Sequence, residues 1–562
     1  MTIRSAIAPF RHETVIEWPG RPGGGVSRSK DVETGSRPAP VVPAQTLPAP
    51  AANREIELKL LAPAGSFDSL ASVPVIAQHA RNRGVFRNFE NAYYDTPDRQ
   101  LYRNRIALRV RKSGKSFIQT LKRPADGTNP LARHEWEVPV PSLEPDLALL
   151  PPEALEIGMD GVGKGVLEPV FVTKFRRRIQ ALDLPAANLE LAFDQGEIRA
   201  GERREAISEL ELELKGGDAG ALYDVALALL DVAPLRVGTL AKADRGYRLA
   251  YDPPAAGVRA SKGSIGAADN VDEIVAKLLG DCQRHMVANQ AVVEEGRTPE
   301  GVHQMRVALR RMRTAISILQ RQIGSPTLAL LAVEAKWLAS TLGPVRNWDV
   351  LVVDTIPGIE THCPDERAFA ALRAHVEPRR LHGYEHLREL FAGARYNRFL
   401  LTLGRTVERR AWRNDIASGS LGILAQTADE FARQALERLH RKALKGGKHF
   451  RRLEPVAQHE LRLVLKKLRY GAEFFRGVFD TKEEAQRYLA RLADLQEGLG
   501  LANDAATTGG LLAMLTDDTQ DAALHRGAGL ITGWQTRDKE FAAGSLHKLW
   551  KRFAQGAPFW LP

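Results

Sequence analysis

The chain has 562 residues, too many for one ordinary core, and two or three domains are the expected partition. Its 44% hydrophobic content supports packed cores, and with only Cys282 and Cys363 present a disulfide scaffold or a Cys-rich metal site is excluded. The net charge of +11 is unevenly placed: residues 271–562 hold 43 Lys and Arg against 34 Asp and Glu, so +9 lies there, a field that attracts phosphate polymers, nucleic acid or an anionic membrane. The N-terminus carries Arg4, Arg11 and His12 and has no uninterrupted apolar core, so no signal peptide is expected. No apolar run is expected to reach membrane-spanning length, no membrane partner is expected, and the cytoplasm is the expected location.

Residues 1–52 are rich in Pro, Gly, Ser and Ala without apolar periodicity, and a disordered tail is expected there. Between 53 and 251, alternation predicts strands at Arg54–Leu60, Ile106–Arg111, Ser116–Lys122, Arg133–Val138 and Ile207–Lys215, with helices near 66–82 and 216–232. Residues two apart share a strand face. Glu55, Glu57 and Lys59 therefore lie opposite Ile56, Leu58 and Leu60. Glu209, Glu211 and Glu213 form a second acidic row, Arg109 and Arg111 a basic one, and Thr120 shares a face with Lys122 as Glu135 does with Glu137. One such row reads as the solvent face of an antiparallel sheet. Many segregated rows together predict a closed barrel with a charged lumen and an apolar outer wall packed on helices. Arg and Lys rows suit phosphates, and carboxylate rows suit hard divalent cations such as Mg²⁺ or Mn²⁺.

The run Glu55-x-Glu57-x-Lys59 resembles the ExExK signature of the CYTH superfamily, the triphosphate tunnel metalloenzymes. The remaining motifs follow in order: Tyr94-Asp95-Thr96-Pro97, Leu108-Arg109-Val-Arg111, Leu121-Lys122, Glu135-x-Glu137, Thr173-x-Phe175-x-Arg177, Asp194-x-Gly196, Glu209-x-Glu211-x-Glu213 and Lys242-Ala-Asp-Arg245-Gly246-Tyr247. The resemblance implies an α+β multidomain chain that begins with an eight-stranded antiparallel tunnel and hydrolyses inorganic triphosphate to pyrophosphate and phosphate, as bacterial inorganic triphosphatases do. It implies that Lys59, Arg109, Arg111, Lys122, Arg177 and Lys242 bind the triphosphate. Glu55, Glu57, Glu135, Glu137, Asp194, Glu209, Glu211 and Glu213 would supply the ligands for Mg²⁺ or Mn²⁺. Glu57, Glu213 and Lys59 are the candidates for accepting the proton of the attacking water. Of the consecutive Arg176, Arg177 and Arg178, the middle one is expected to point inward. Two other readings remain open. One is a non-catalytic polyphosphate-binding or targeting protein. The other is a tunnel enzyme acting on an organic triphosphate, a nucleoside triphosphate (cyclase chemistry included) or thiamine triphosphate. The large acidic set favours an enzyme, because anion binding alone does not need so many lumen carboxylates.

Residues 252–268 read as a Pro/Gly/Ala/Ser linker, and 269–562 as helical almost throughout. One pattern occurs twice there: His303-x-x-Arg306-x-x-x-Arg310-Arg311-x-Arg313 and His459-x-x-Arg462-x-x-x-Lys466-Lys467-x-Arg469. Its first, fourth, eighth and eleventh positions share a helical stripe. Leu342-Gly343, with Arg346, Asn347 and Asp349 after it, follows the first copy as Leu499-Gly500, with Asn503 and Asp504, follows the second. The polar residues after these Leu-Gly pairs are expected to cap helices or sit in turns. Two helical bundles related by duplication are the expected product. This half resembles the CHAD domain, which implies an all-α domain that binds inorganic polyphosphate along a basic channel and an association with polyphosphate granules. The implied contacts are His303, Arg306, Arg310, Arg311, Arg313, Arg346, His459, Arg462, Lys466, Lys467 and Arg469. Nucleic acid is the competing anion, and the basic row lacks the aromatic companions that stack bases.

Overall fold

The computed structural model describes residues 54–124, 132–160, 162, 165–253, 256–261, 263–364, 366–517 and 519–561, with the side chains of 54, 55, 124, 132, 133, 502, 542 and 543 left aside. The expected N-terminal tail lies outside the described residues.

Strands β1 (Arg54–Leu61), β2 (Val85–Asp95), β3 (Ala107–Ser113), β4 (Ser116–Pro124), β5 (Ala132–Val140), β6 (Glu168–Leu184), β7 (Ala187–Ala200), β8 (Arg203–Gly217) and β9 (Arg236–Val237) form one antiparallel sheet in the order β5-β4-β3-β2-β6-β7-β8-β1-β9. β5 also pairs with β1 through Arg54–Ile56, which closes eight strands into a tunnel. The sheet has nine strands rather than the eight expected. The reason is local: β5 covers only the start of the β1 edge, and the two-residue β9 pairs with Leu60 and Leu61 beyond it.

The outer faces of β1, β7 and β8 place Leu58, Leu60, Leu189, Leu191, Leu210 and Leu212 in one buried cluster with helix α1 (Gly220–Leu230), which contributes Leu222, Val225, Ala226 and Leu229. The segment expected to be helical near 66–82 is two short helices, Phe67–Ala71 and Pro74–Ala77, divided where Pro74 starts a new first turn. Helix α2 (Lys242–Tyr251) packs on β6, β7 and β8, its Tyr247 in a cluster with Phe171, Phe175, Ile198 and Ile207. Its Gly246 lies so near Phe171 that an added Cβ would stand 2.0 Å from the ring, and Tyr247 Oη donates to the Tyr94 carbonyl at 3.1 Å. Asp95 in the Tyr-Asp-Thr-Pro run is structural: its carboxylate accepts from the amides of Thr96, Leu101 and Tyr102 and holds the short helix that follows β2.

The helical half contains α3 (Val271–Glu295), α4 (Glu300–Ile323), α5 (Pro326–Val350), α6 (Ala368–Ala392), α7 (Ala394–Arg409), α8 (Ala428–Gly446), α9 (Pro455–Phe475), α10 (Lys482–Thr516) and α11 (Ala522–Ala554). One large cluster of buried side chains runs from Ile265 to Trp560 and joins the two repeats, and a smaller one gathers Trp348, Phe369, Leu372, Leu512 and Leu524. The Leu-Gly pairs do not end helices. α5 runs through Gly343 and Pro344, and α10 through Gly500. Asp349 is fully buried and accepts from Tyr384 Oη at 3.0 Å and Arg380 at 3.4 Å, a tertiary partnership in place of the expected cap or turn. Contrary to the sequence expectation, one run, Pro326–Glu360, is long and apolar enough to cross a membrane by length and composition, at a mean hydropathy of 1.3. Its Leu328, Leu331, Ala335, Leu338 and Leu342 are packed in the helical core.

The tunnel and the helices meet directly. α7 lies on α1, with Leu401 buried in the tunnel's outer-wall cluster and Gly404 against Tyr223, where an added Cβ would stand 2.2 Å from the ring. Arg409 pairs with Asp218 at 2.7 Å and Asp224 at 2.5 Å, and Arg398 with Asp231 at 2.5 Å. In the linker, Val258 exchanges hydrogen bonds with the Asn289 side chain of α3 at 2.9 and 2.8 Å. Leu401→Ala should remove about 2–5 kcal/mol of stability, as truncations of buried leucines do, read as a lowered urea midpoint of the tunnel transition.

Candidate functional site

The pleat aims the charged rows of the strands into one cavity of about 590 Å³, lined by Glu57, Lys59, Arg109, Arg111, Lys122 and Arg177 among others. Cross-strand register brings opposite charges side by side: Lys59 faces Glu211, Glu57 faces Glu213, Arg177 faces Asp194 and Lys122 faces Glu135. Parity turns Arg177 inward, where it forms a two-pronged bond to Asp194 at 2.7 and 2.6 Å and also reaches Glu211. Its neighbours leave the lumen. Arg176 stacks over Phe86, and Arg178 bonds the carbonyl of Arg83.

Asp194, Glu209 and Glu211 are buried, with one oxygen from each lying within 4.8 Å of the others. These are hard oxygen donors on three points of two adjacent strands, a set that fits a divalent cation of the Mg²⁺ or Mn²⁺ type. Lys59 reaches Glu57 at 2.8 Å and Glu211 at 2.6 Å, while Lys242, the first residue of α2, reaches Asp194 at 2.6 Å and Glu211 at 2.7 Å. On the far wall Arg109 stands 3.7 Å from both Glu135 and Glu137, and Lys122 bonds Glu135 at 2.8 Å. The eight carboxylates expected at metal thus divide. Three converge, Glu57 and Glu213 sit beside them on β1 and β8, and Glu135 and Glu137 face the opposite arginine. The side chain of Glu55 lies outside the described residues.

Burial works against every charge here, and the opposite charges decide the outcome. For Lys59 burial opposes protonation, yet Glu211, Glu57 and Glu209 outweigh it and hold the ammonium well above the usual lysine range. For Glu211 burial opposes ionisation, and Lys242, Lys59 and Arg177 outweigh it and hold the carboxylate well below its usual range. Arg111 is the exception. Burial, then Arg109 and Arg177, lower it to about 10, and its contacts are the Asn91 amide at 3.0 Å and the Phe89 ring. A cation surrounded by cations is a place where an anion gains most.

Two charged groups at the site were given no role in the sequence reading, although Arg245 stands in one of its motifs. Arg245 bonds Glu209 at 2.8 Å and Glu205 at 2.6 Å, and Glu190 lines the cavity opposite Glu213. Even spacing from Asp194 marks Glu190 as sharing its face, whereas Arg245 is on a helix and carries no strand parity to read.

The two basic stripes converge on the other half. α4 and α9 pack together, with Lys467 donating to Ser317 at 3.1 Å. Arg306, Arg310, Arg462 and Lys466 form one cationic cluster: burial, then Arg462 and Arg310, lower Lys466 to about 8, and burial, then Arg310 and Arg346, lower Arg306 to about 10. The Nε groups of Arg310 and Arg462 are buried with no hydrogen-bond partner among the described residues. His303 belongs to this cluster, its imidazolium disfavoured by burial and then by Arg346. The second basic position of each pair turns away. Arg311 is buried over Phe474 and pairs with Glu473, which Arg469 also engages, and Lys467 sits near Arg313 and Lys442. His459 is exposed at the start of α9.

Residues 53–247 match the CYTH domain family and residues 277–513 the CHAD domain family. An inorganic triphosphatase of Haemophilus influenzae is 33% identical over 163 residues, which are 28% of this chain and 45% of that protein. The match therefore spans less than half of that relative's length. An uncharacterized protein of Mycobacterium tuberculosis is 26% identical over 486 residues, 80% of this chain and 88% of its own. The crystal structure of the CHAD domain from the plant Ricinus communis is similar at 29% identity and a TM-score of 0.46, covering 54% of this chain and 98% of that one. The closed antiparallel tunnel is the CYTH part and the duplicated helices are the CHAD part, so this chain carries a CYTH domain followed by a CHAD domain.

Proposed function

We propose that the tunnel hydrolyses inorganic triphosphate to pyrophosphate and phosphate, and that the cationic cluster of the helical half binds inorganic polyphosphate. The observation that carries the first part is the convergence of the buried Asp194, Glu209 and Glu211 on Lys59, Lys242 and Arg177, of which Glu211 and the three cations line the cavity. A phosphate chain needs cations for its oxygens and does not need carboxylates, so the buried acids speak for a metal-assisted reaction. Mg²⁺ or Mn²⁺ held by the three acids would neutralise phosphate oxygens and make a water nucleophilic. The protein's own groups then have separate tasks. Lys59, Lys242, Arg177, Arg109, Arg111 and Lys122 grip and align the chain, which stabilises the charge that spreads over the transferred phosphoryl group. Glu57 and Glu213, facing each other across β1 and β8, are the candidate proton acceptors. The aromatic rings at the lumen are already engaged, Tyr93 stacked on Phe171 at 4.4 Å and Phe175 beneath Lys242, which supports an inorganic chain over a nucleoside. Polyphosphate is supported by two duplicated stripes meeting in one cluster, where the buried Nε groups of Arg310 and Arg462 have no hydrogen-bond partner among the described residues, in a chain whose tunnel suits the same chemistry.

Phosphate release from triphosphate should require Mg²⁺ or Mn²⁺, stop with EDTA, and fall about a hundredfold or more in Glu57→Ala, the scale of a lost general base. No release with metal present from triphosphate, ATP or long-chain polyphosphate would remove the enzyme reading. Replacing Arg306, Arg310, Arg462 and Lys466 together by Gln should abolish retention on a polyphosphate resin while triphosphate turnover persists. Retention by that variant would show the cluster is not the docking surface. Lys466 loses its proton as pH rises through about 8, and a bound polyanion restores it, so polyphosphate affinity should fall from pH 8 to 10 with a proton taken up on binding. Calorimetry in buffers of differing ionisation enthalpy reads that proton, and Lys466→Arg should abolish it.

A further inference from the structure

The tunnel is not self-contained. β9, the two-residue strand that completes the β1 edge, is held from the other side by the helical half. The Val237 amide donates to Asn397 Oδ1 of α7 at 2.7 Å, and Arg236 pairs with Glu294 of α3 at 2.6 Å. Both anchors are themselves fixed. Asn397 is buried and its amide donates to the carbonyls of Phe391 and Gly393 at 2.9 and 2.8 Å. Glu294 accepts from Gln290 at 3.0 Å, and Gln290 in turn accepts from Tyr396 Oη at 2.9 Å.

On its inner side β9 leads straight to the two lumen ammonium groups. Leu60 pairs with Val237 and Leu61 with Arg236, and the Gly238 amide donates to the Lys59 carbonyl at 2.8 Å. Gly238 lies against the Lys59 stem, where an added Cβ would stand 2.8 Å from Cγ and 3.0 Å from Cδ. The same segment then enters α2 at Lys242. Lys59 and Lys242 both end on Glu211 Oε1, at 2.6 and 2.7 Å, so a displacement of β9 moves two cations relative to one carboxylate.

We infer that Asn397 and Glu294 of the helical domain are positioning residues for the tunnel, acting through β9 and Gly238 on Lys59 and Lys242. The inference rests on the triphosphatase reading and extends it: the helical half is part of the triphosphate site's architecture as well as a neighbour of it. A side-chain pair of which both members are partly exposed contributes little to global stability, so its effect belongs in the geometry it holds.

The test uses the full chain with Arg236→Glu, Glu294→Arg and the charge-swapped double variant, together with Gly238→Ala. Each single variant should raise KM for triphosphate about fivefold, the lower end of ordinary coupling between sites, with a smaller change in kcat. Amide exchange should quicken over 236–242 and 57–61 in the charge variants, and the double variant should restore both KM and exchange. Gly238→Ala should raise KM with the interdomain contacts intact. Charge variants that quicken exchange over 236–242 yet leave KM within twofold would overturn the inference, as would a double variant that rescues neither. A wild-type chain that turns over no triphosphate sinks the functional reading instead. The inference is then decided by exchange over 57–61 alone, where indifference to the single variants overturns it.

Discussion

The tunnel depends on the mutual compensation of buried charges. Lys59, Lys242 and Arg177 converge on Asp194, Glu209 and Glu211 in a space that water reaches poorly, so each charge there is offset by an opposite one. Taking one member from such a set leaves an uncompensated charge, which costs about 3–5 kcal/mol in buried pairs. The fold supplies what makes the cluster possible. Leucines on the outer faces of β1, β7 and β8 pack on α1, which fixes the register, and register fixes which acid meets which base. A slip of one residue would turn every charge in a strand outward.

The helical half applies the opposite principle. Its cluster gathers Arg306, Arg310, Arg462 and Lys466 with few acids beside them, Asp504 standing 3.8 Å from Arg462, and apolar packing between α4 and α9 holds the repelling groups together. Burial, and after it that repulsion, makes Lys466 give up its proton more readily than an ordinary lysine. The tunnel's cations are closely paired with carboxylates, while those of the helical half are paired far more loosely.

Much of this was legible in the residues. Period-two alternation marked the charged faces of β1, β3, β4, β5 and β8, and the order of motifs located the tunnel before any contact was known. Repetition of the His-Arg pattern placed the second surface. Other parts had no sequence signature. The ninth strand is two residues long and exists because β5 leaves part of the β1 edge uncovered. Asp349 looked like a cap after a Leu-Gly break, but α5 continues through Pro344 and the carboxylate finds Tyr384 on α6. Adjacent basic residues 310 and 311 look alike in the pattern. Their fates diverge because a helix turns 100° between them, sending Arg311 to Glu473 and leaving Arg310 in the cluster.

What the sequence determined by itself is therefore the chemistry of each face: which strands carry acids, which carry bases, and that two helices repeat one cationic stripe. Those are local properties, set by the period of the backbone. What only the tertiary structure decided is which faces meet. Asp194, Glu209 and Glu211 converge because β7 and β8 pair in one register, and Lys59 and Lys242 share a carboxylate because β9, held by Asn397 and Glu294, sets both in place. Such meetings depend on contacts between residues far apart in the chain, and no local pattern encodes them.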